Sequence, residues 1–263
     1  MAFPILKFQD CLHERPEPKN IDISSHLQHF ALITYAVEPN RFRNLIPPRF
    51  KLDTIEYQGQ HMALMSVVPF VHVDFTSAVY PFAKFKMGQI YYRVYVIDTH
   101  TQERCVWFLG AVLDSWTVII PRYVWQLPWH KGTINFDCRQ NADGLYDDYQ
   151  VKGTSAWTSA QVHLAQTKYD TWQFEGFPNQ ESHEVFLTHP LAGFYHCRNG
   201  QVGTYRVWHD KLSPKPAHLV HARFELLHRL DLVGFEAQLQ PYSVLIEPIN
   251  AFTVYLPPQK ISA

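Results

Sequence analysis

The sequence predicts a mainly β protein, in which a large antiparallel sheet of about ten to twelve strands closes around an apolar interior, with three short helices. The chain of 263 residues contains 18 Phe, 14 Tyr and 7 Trp, and aromatic rings favour the pleated, half-buried surface of a strand. Short apolar or alternating runs are separated by turn residues at spacings typical of antiparallel sheets. Hydrophobic residues make up 46% and charged residues 18% of the chain, which is sufficient for a sizeable core.

The N-terminal segment has a different composition from the rest of the chain. Residues 1–25 are polar and rich in proline, and they are predicted to form a loosely docked arm. No linker, internal repeat or low-complexity tract divides residues 26–263. This second segment is therefore predicted to form a single β domain.

Four strands are predicted in the first half of the domain, at 30–37, 61–75, 88–98 and 104–114. After the first strand, Pro39 fits the first turn of a short helix. Pro69 interrupts the second strand and indicates an edge or a bulge. In the third strand the alternation places Tyr91, Arg93 and Tyr95 on one face.

The second half of the chain mixes further strands with brief helices. Residues 115–128 are predicted to form a short helix or two turns, because Ser115 can cap a helix and Pro121 interrupts a long one. A second brief helix is predicted at 182–187, and Asn199-Gly200 is a strong hairpin signal. The remaining strands are predicted at 130–138, 144–153, 155–166, 218–233, 243–247 and 251–257.

Composition also argues against several classes of partner. The net charge is −1 with histidine counted as neutral, and no run of Lys and Arg could neutralise a phosphate backbone, so a nucleic-acid partner is not expected. No window of 18 apolar residues and no basic signal-peptide region occurs, so neither a membrane partner nor secretion is expected. The four cysteines form no Cys-x-x-Cys pair. These features predict a cytoplasmic protein with reduced thiols, and they leave a homo-oligomer open.

Six segments occur in an order that resembles a known family. They are NLIPPRFKLDTIEYQGQHMALMSVVPF, YYRVYVID, CVWFLGAVLDS, QLPWHKGTI, FLTHPLAGFYHCRNGQVGTYRVWHDKLSP and PYSVLIEP. Together they are similar to an uncharacterised bacterial family (YqjF-like) of the acetoacetate decarboxylase-like superfamily, over residues 30–256. The resemblance implies a large antiparallel β-structure with a central cone-like barrel around a cavity.

The same resemblance bears on catalysis. The related decarboxylases use a lysine Schiff base, and a second cation beside a buried lysine lowers the pKa of that lysine so that its neutral amine can attack a carbonyl. In those enzymes the two lysines are adjacent, in a Gly-Phe-Pro-Lys-Lys-like stretch. The comparable stretch here is Gln-Leu-Pro-Trp-His at 126–130, so Trp129 and His130 stand where the lysine pair would be. Lys131 follows one residue later.

The catalytic candidates are Lys131 and His209. Strand alternation places Trp129 and Lys131 on one face, so Lys131 either follows Trp129 into the cavity as a reactive amine or extends to solvent at the strand end. Trp129 is predicted to wall the pocket. His209 is either an acid, base or hydrogen-bond donor in the cavity or a hydrogen-bonded structural histidine.

The ligand-binding candidates are Arg93 and its neighbours Tyr91 and Tyr95, with Trp129. A guanidinium among tyrosines can bind a carboxylate through two parallel hydrogen bonds. The alternatives are that Arg93 pairs with an internal Asp or Glu, or that it faces outward.

Metal ligands and cofactor motifs are weakly represented. The pairs His26 with His29 and His72 with Asp74 have spacings that suit a metal, but neither has an obvious third ligand. No P-loop, dinucleotide fingerprint or nucleophile elbow is present. Neither a metal nor another cofactor is predicted.

Two functions from different classes remain open at this point. The first is a protein that binds a small apolar or weakly acidic molecule in an aromatic-lined cavity, without the dilysine of the decarboxylases. The second is an enzyme that acts on a small keto acid or carbonyl compound through Lys131 or His209.

Overall fold

The structure is a computed structural model that describes residues 3–261. Its strands are β1 (Ile23–Val37), β2 (Phe50–Leu52), β3 (Thr54–Tyr57), β4 (Gln60–Ser77), β5 (Tyr80–Asp98), β6 (Arg104–Leu113), β7 (Trp129–Gln140), β8 (Tyr146–Ser155), β9 (Ser159–Ala165), β10 (Ala192–His196), β11 (Val202–His209), β12 (Lys215–Pro216), β13 (His218–Phe224) and β14 (Ser243–Ile261). The α-helices are α1 (Ile119–Tyr123), α2 (Gln180–Thr188) and α3 (Glu225–Arg229). Short 3-10 turns lie at Phe8–Asp10, Pro39–Phe42, Trp116–Val118 and Ala237–Leu239. None of the helices in the described chain is long and apolar enough to span a bilayer.

Seven strands form a closed barrel, which confirms the predicted fold class. They pair in the order β5, β4, β1, β14, β11, β10 and β6, and the pairing of β6 with β5 closes the ring. Most neighbours are antiparallel, as predicted. Strand β6 differs from the predicted antiparallel arrangement, because it pairs in parallel with both β10 and β7. The barrel is therefore mixed rather than wholly antiparallel.

A second group of strands covers the outside of the barrel. The strands β7, β8, β9 and β13 continue from the outer side of β6. Their apolar side chains pack with Tyr92 and Val94, which lie on the outward face of β5, in the largest hydrophobic cluster. Because this cluster lies outside the ring, the barrel interior does not have to be filled to give the fold a core.

The inward faces of the barrel strands carry a separate apolar cluster. Phe70, Tyr95 and Val106 belong to it, together with Phe186 and Leu187 of helix α2. Asn179 caps this helix by accepting a hydrogen bond from the backbone N–H of Ser182, at 2.8 Å. Helix α2 therefore packs against the inner face of the barrel.

Two predicted features of the strands are confirmed in modified form. Pro69 lies in β4 between two partner strands, so it marks no edge. The bulge instead lies opposite, in β1, where the register shifts after Gln28 and His29 adopts a φ of 55°. The hairpin at Asn199-Gly200 joins β10 to β11, and Gly200 provides the positive φ of 84° that the turn requires.

The predicted strand over 218–233 is wrong beyond its midpoint. Strand β13 ends at Phe224, and helix α3 begins at the next residue. The Gln238 side chain binds both backbone groups of Phe224, at 2.6 Å to its N–H and 3.1 Å to its carbonyl. These bonds satisfy the backbone groups of Phe224 on the edge away from β9. The ladder stops there because β9 begins at Ser159, next to the Ala160 that pairs with Phe224. The two strands predicted at 243–247 and 251–257 are one continuous strand, β14.

The N-terminal arm is held to the domain by hydrogen bonds. The Leu6 N–H donates to Ser182 Oγ at 3.0 Å and the Phe8 N–H to Glu181 Oε1 at 3.1 Å. The indole N–H of Trp208 donates to the carbonyl of His13 at 3.0 Å. The Phe8 ring is buried.

Candidate ligand-binding site

The barrel interior contains a cavity of about 530 Å³ with a mostly apolar wall. Strand β5 runs along it from the exposed Phe85 to the buried Arg93, and alternate residues of this stretch line the wall. At a rise of roughly 3.3 Å per residue these eight steps span about 26 Å. Polar side chains in the wall are His72, Gln89, Tyr91, Arg93, Thr188, Tyr205, His209 and Asn250 among others.

Arg93 is the cation at the inner end of this stretch. It is 6% exposed, and no carboxylate in residues 3–261 lies within ion-pair distance of it. Its partners are neutral groups: the phenol oxygens of Tyr91 and Tyr95 and the carbonyl of Leu187. Burial acts to lower the pKa of Arg93, but the two phenols hold it above its ordinary value. Arg93 is therefore a buried charge without a counter-charge.

Not every N–H group of the Arg93 guanidinium has an acceptor in the described structure. The guanidinium carries five N–H groups. The Tyr95 oxygen accepts from Nε at 3.3 Å and from Nη2 at 3.1 Å, Leu187 accepts the other Nη2 hydrogen, and Tyr91 accepts from Nη1 at 3.1 Å. One Nη1 hydrogen is left over within the described structure.

Two phenols beside Arg93 can also donate. The hydroxyl hydrogen of Tyr91 has no acceptor in the described chain, and Tyr205 forms no hydrogen bond there. Burial raises the pKa of Tyr91 to about 12 against the opposing effect of Arg93, and burial raises the pKa of Tyr205 well above its ordinary value. Both phenols therefore remain protonated at neutral pH. Phe108 lies between the two, with ring centroids at 5.4 Å from Tyr91 and 5.6 Å from Tyr205.

Tyr95 lies behind Arg93 rather than in the cavity wall. Its hydroxyl lies 2.8 Å from Ser66 Oγ and 3.2 Å from the carbonyl of Leu187, besides accepting from Arg93. It does not line the main cavity. The structure therefore places Tyr91 and Arg93 in the wall and Tyr95 where it fixes the guanidinium.

His209 lines the cavity, but both of its ring nitrogens face backbone carbonyls rather than the open space. Nδ1 lies 2.8 Å from the carbonyl of Asp210 and Nε2 lies 3.0 Å from the carbonyl of Thr188. Burial lowers the pKa of His209 against the opposing effect of these two acceptors. An imidazole held in this way is a poor general base, because neither nitrogen is directed to a ligand.

A second polar group lies farther along the wall, at His72 and Gln89. The His72 ring contacts Ser25 Oγ at 3.0 Å and Gln89 Oε1 at 3.1 Å, and burial lowers the pKa of His72 to about 4. The side-chain N–H groups of Gln89 donate to no other described residue, so they are available to a ligand. Within residues 3–261 no group of three His, Cys, Asp or Glu side chains could hold a metal ion.

The stretch that replaces the lysine pair lies level with Tyr91, because Trp129 pairs with Ala111 of β6 and Ala111 pairs with Tyr91 of β5. Trp129 lines the wall. His130 points the other way and stacks on Trp157, with centroids 4.3 Å apart. Lys131 is exposed and is absent from the wall. Of the two alternatives for Lys131, the structure has the one in which the side chain extends to solvent.

The reason lies in the path of β7. This strand pairs with β6 for only three residues, Trp129–Lys131. From Gly132 onward it pairs with β8 in the outer sheet. Lys131 lies where the strand leaves the barrel, so strand alternation alone does not predict its surroundings.

The sequence reasoning missed three wall residues, and a signal exists for two of them. Gln89 shares the alternation of Tyr91 and Arg93 on β5, and Tyr205 shares that of His209 on β11. No sequence signal indicates that Thr188 of α2 reaches the cavity.

Three solved structures of enzymes are similar to this chain in fold. Acetoacetate decarboxylase from Legionella pneumophila aligns over 100% of this chain and 98% of its own, with 12% identity and a TM-score of 0.58. An acetoacetate decarboxylase-like enzyme from Sphingomonas wittichii aligns over 93% and 94%, with 11% identity and a TM-score of 0.58. The enduracididine biosynthesis enzyme MppR aligns over 94% and 89%, with 13% identity and a TM-score of 0.57. Identities this low show the fold alone.

Sequence comparison gives a family but no activity. No curated protein matches the chain. The model of the DUF2071 family, described as an uncharacterized conserved protein, matches residues 24–248. The chain therefore belongs to the DUF2071 family, with the acetoacetate decarboxylase-like fold.

Proposed function

We propose that this protein binds a monocarboxylic acid with an elongated apolar body in the barrel cavity. The observation that carries the proposal is the buried Arg93 guanidinium, which has no acidic partner in the described chain and lies along an apolar wall. The carboxylate would lie at Arg93, and the apolar body would extend along β5 toward the mouth.

The chemistry of Arg93 favours a carboxylate over a neutral polar ligand. Burying an unpaired charge is costly, and a hydrogen-bonded counter-charge offsets that cost. The free Nη1 hydrogen and the hydroxyls of Tyr91 and Tyr205 supply three donors for an anion. One cation matches one carboxylate, which favours a monoacid over a diacid. MppR offers a parallel among the fold neighbours, since one of its structures is described as complexed with pyruvate.

The alternative, an enzyme acting on a keto acid through Lys131 or His209, has less support. Of the described residues that line the cavity, none is Lys, Cys, Asp or Glu. Lys131 is exposed, and the ring nitrogens of His209 face backbone carbonyls. Schiff-base chemistry requires an amine at the substrate. Binding without covalent chemistry is therefore the function proposed, in a cytoplasmic setting that four free thiols favour.

Calorimetric titration with decanoate and with its methyl ester tests the proposal. The acid is expected to bind at least tenfold more tightly than the ester, because the ester carries no charge for Arg93. Equal affinities, or binding of neither, would refute it. Incubation with acetoacetate followed by borohydride tests the alternative, and a reduced adduct on Lys131 in the intact mass would favour the enzyme instead.

A further inference from the structure

We propose that the mouth of the cavity is a docking surface for an anionic lipid bilayer, from which an amphiphilic acid enters the barrel. The entry of an acid rests on the proposed function, whereas docking itself rests on the exposed side chains around the mouth. The sequence-based expectation of no membrane partner rests on the lack of a spanning segment, and docking on a surface needs none.

The exposed apolar side chains of the protein are concentrated at this mouth. Of the 17 large hydrophobic side chains that are exposed in residues 3–261, ten lie here. Phe82 is 82% exposed, Val124 65% and Trp116 64%. The ten, called the rim below, are Ile21, Val79, Tyr80, Phe82, Phe85, Trp116, Ile119, Ile120, Tyr123 and Val124. An exposed patch of this kind marks an interaction site rather than ordinary surface.

The rim is one surface, although it comes from three segments. Ile21, Tyr80, Phe85, Trp116 and Ile120 all line the same cavity. The N–H of Val79 donates to the carbonyl of Asn20 at 2.9 Å, which joins the β4–β5 hairpin to the segment before β1. Packing between β5 and the 3-10 turn before α1 joins the hairpin to the helix, since Met87 and Val118 share one apolar cluster. The rim therefore surrounds an opening.

Basic side chains accompany the rim. Lys84 and Lys86 flank Phe85 on β5, and Lys131 follows Trp129. At α1, Arg122 and Arg198 both lie over the ring of Tyr123, at 5.7 Å and 5.1 Å from its centroid.

Acidic groups beside these segments are fewer and are engaged. Asp74 pairs with Lys84 at 3.3 Å, and Asp114 accepts from the N–H of Gly88 at 2.6 Å. Asp22, next to Ile21, accepts from two backbone N–H groups, at 2.8 Å and 2.7 Å. The basic groups therefore exceed the acidic ones around the opening. Aromatic and aliphatic side chains edged by Lys and Arg are the combination that binds the interface of an anionic membrane.

Charge distinguishes a bilayer from a second copy of this chain. A twofold contact through the rim would bring the same patch of each copy together. The basic groups of one copy would then face those of the other, which costs free energy. An anionic bilayer complements the same charges. The proposed ligand adds a second reason, since an acid with a long apolar body partitions into membranes.

Flotation with lipid vesicles tests the proposal. The full chain is mixed with vesicles of phosphatidylcholine alone or with 30% phosphatidylserine, and the floated fraction is measured. The variant F82S/V124S removes two rim side chains that do not line the cavity. The control Y169S/V220S removes two exposed side chains outside the rim.

We expect the wild type and the control to float with the phosphatidylserine vesicles, and F82S/V124S to float at least fivefold less. Wild-type protein that floats with neither vesicle, or F82S/V124S that floats as well as wild type, would overturn the proposal. A wild-type dimer in light scattering that F82S/V124S converts to a monomer would assign the rim to a second copy instead.

The R93M variant separates this proposal from the proposed function. R93M is expected to lose decanoate binding but to float as wild type does. If R93M retained decanoate affinity, the carboxylate site would be wrong while the flotation result still tested the rim. If R93M bound no vesicles, rim docking would not be independent of the cavity and the surface proposal would fail.

Discussion

Arg93 is a buried arginine whose charge no carboxylate of the described residues neutralises. Arg49 offers a contrast within the same chain, since its guanidinium binds both oxygens of the buried Asp98, at 3.0 Å and 2.8 Å. Within residues 3–261, Arg93 has three neutral partners and no acidic one. Its charge is therefore compensated only in part by the protein.

This contrast predicts different effects on stability. The R93M variant, measured without ligand by urea unfolding, is expected to stay within about 1 kcal/mol of wild type or to gain, because Met removes an uncompensated buried charge. The matched R49M variant is expected to lose about 3 kcal/mol or more, since it leaves Asp98 buried and unpaired. A comparable loss in R93M would show that Arg93 serves the fold.

At the scale of elements, the cavity wall depends on contacts between residues of different barrel strands. Strand β10 illustrates this, because Gly193 lets the Phe108 ring of β6 lie against the backbone. A Cβ at position 193 would lie 2.3 Å from that ring. Phe108 in turn packs between Tyr91 and Tyr205.

Replacing Gly193 by alanine is therefore expected to push Phe108 into the cavity. We predict a loss of about 1–3 kcal/mol in the free energy of unfolding from overpacking and at least a tenfold loss in decanoate affinity. Denaturant unfolding and calorimetry measure the two effects. Gly234→Ala is the control, since no atom lies within 4 Å of its Cβ, and it should change neither. Unaltered affinity in G193A would show that the ring does not border the ligand.

Helix α2 contains a fully buried titratable residue, His183. Neither ring nitrogen has a partner in the described structure, and the ring packs against Trp172, Phe177 and Tyr242. Burial lowers the pKa of His183 to about 3. The unfolded chain, with an ordinary histidine pKa of about 6.5, therefore binds the proton first as the pH falls.

We therefore predict that lowering the pH reduces the free energy of unfolding, because the unfolded chain binds a proton at His183 more readily than the folded chain does. The contribution of His183 to stability is complete above pH 6.5 and is lost as the pH falls toward the folded-state pKa. Between pH 6.5 and 4.5 the loss is about 2 kcal/mol for this group. H183F is expected to lose that much less than wild type in urea unfolding, and H221F, at an exposed position, is expected to follow wild type. Equal pH dependence in all three would contradict the assignment.

The elements also show where sequence reasoning succeeds and stops. Alternation groups Tyr91 and Arg93 on one face of β5, and both residues line the cavity, because the face of a strand is a local property. It leaves two alternatives for Lys131, which are decided by the change of partner of β7 from β6 to β8 after that residue. The predicted strand is wrong past Phe224, because the partner strand β9 begins at Ser159, next to the Ala160 that pairs with Phe224. Contacts between distant segments decide both cases.

At the scale of the whole molecule, the apolar core is divided between the inside and the outside of the barrel, so the fold does not require a filled barrel interior. The largest apolar cluster lies between the barrel and its outer sheet, so the interior is free to hold an apolar molecule. The composition and the strand pattern predict a closed β-structure. They do not predict that β6 joins the barrel to the outer sheet through parallel pairs, because pairing direction depends on distant segments.

The ionisation state of a bound acid tests the central claim most directly. Decanoate labelled with carbon-13 at its carboxyl group is bound to wild type and to R93M, and its chemical shift is followed by NMR from pH 5 to 8. If Arg93 holds the carboxylate, the wild-type complex shows an ionised ligand throughout, with a pKa below that of the free acid measured in the same buffer. In any residual R93M complex, burial without a cation raises that pKa into the measured range. A wild-type complex in which the bound acid becomes protonated above pH 5 would contradict the account.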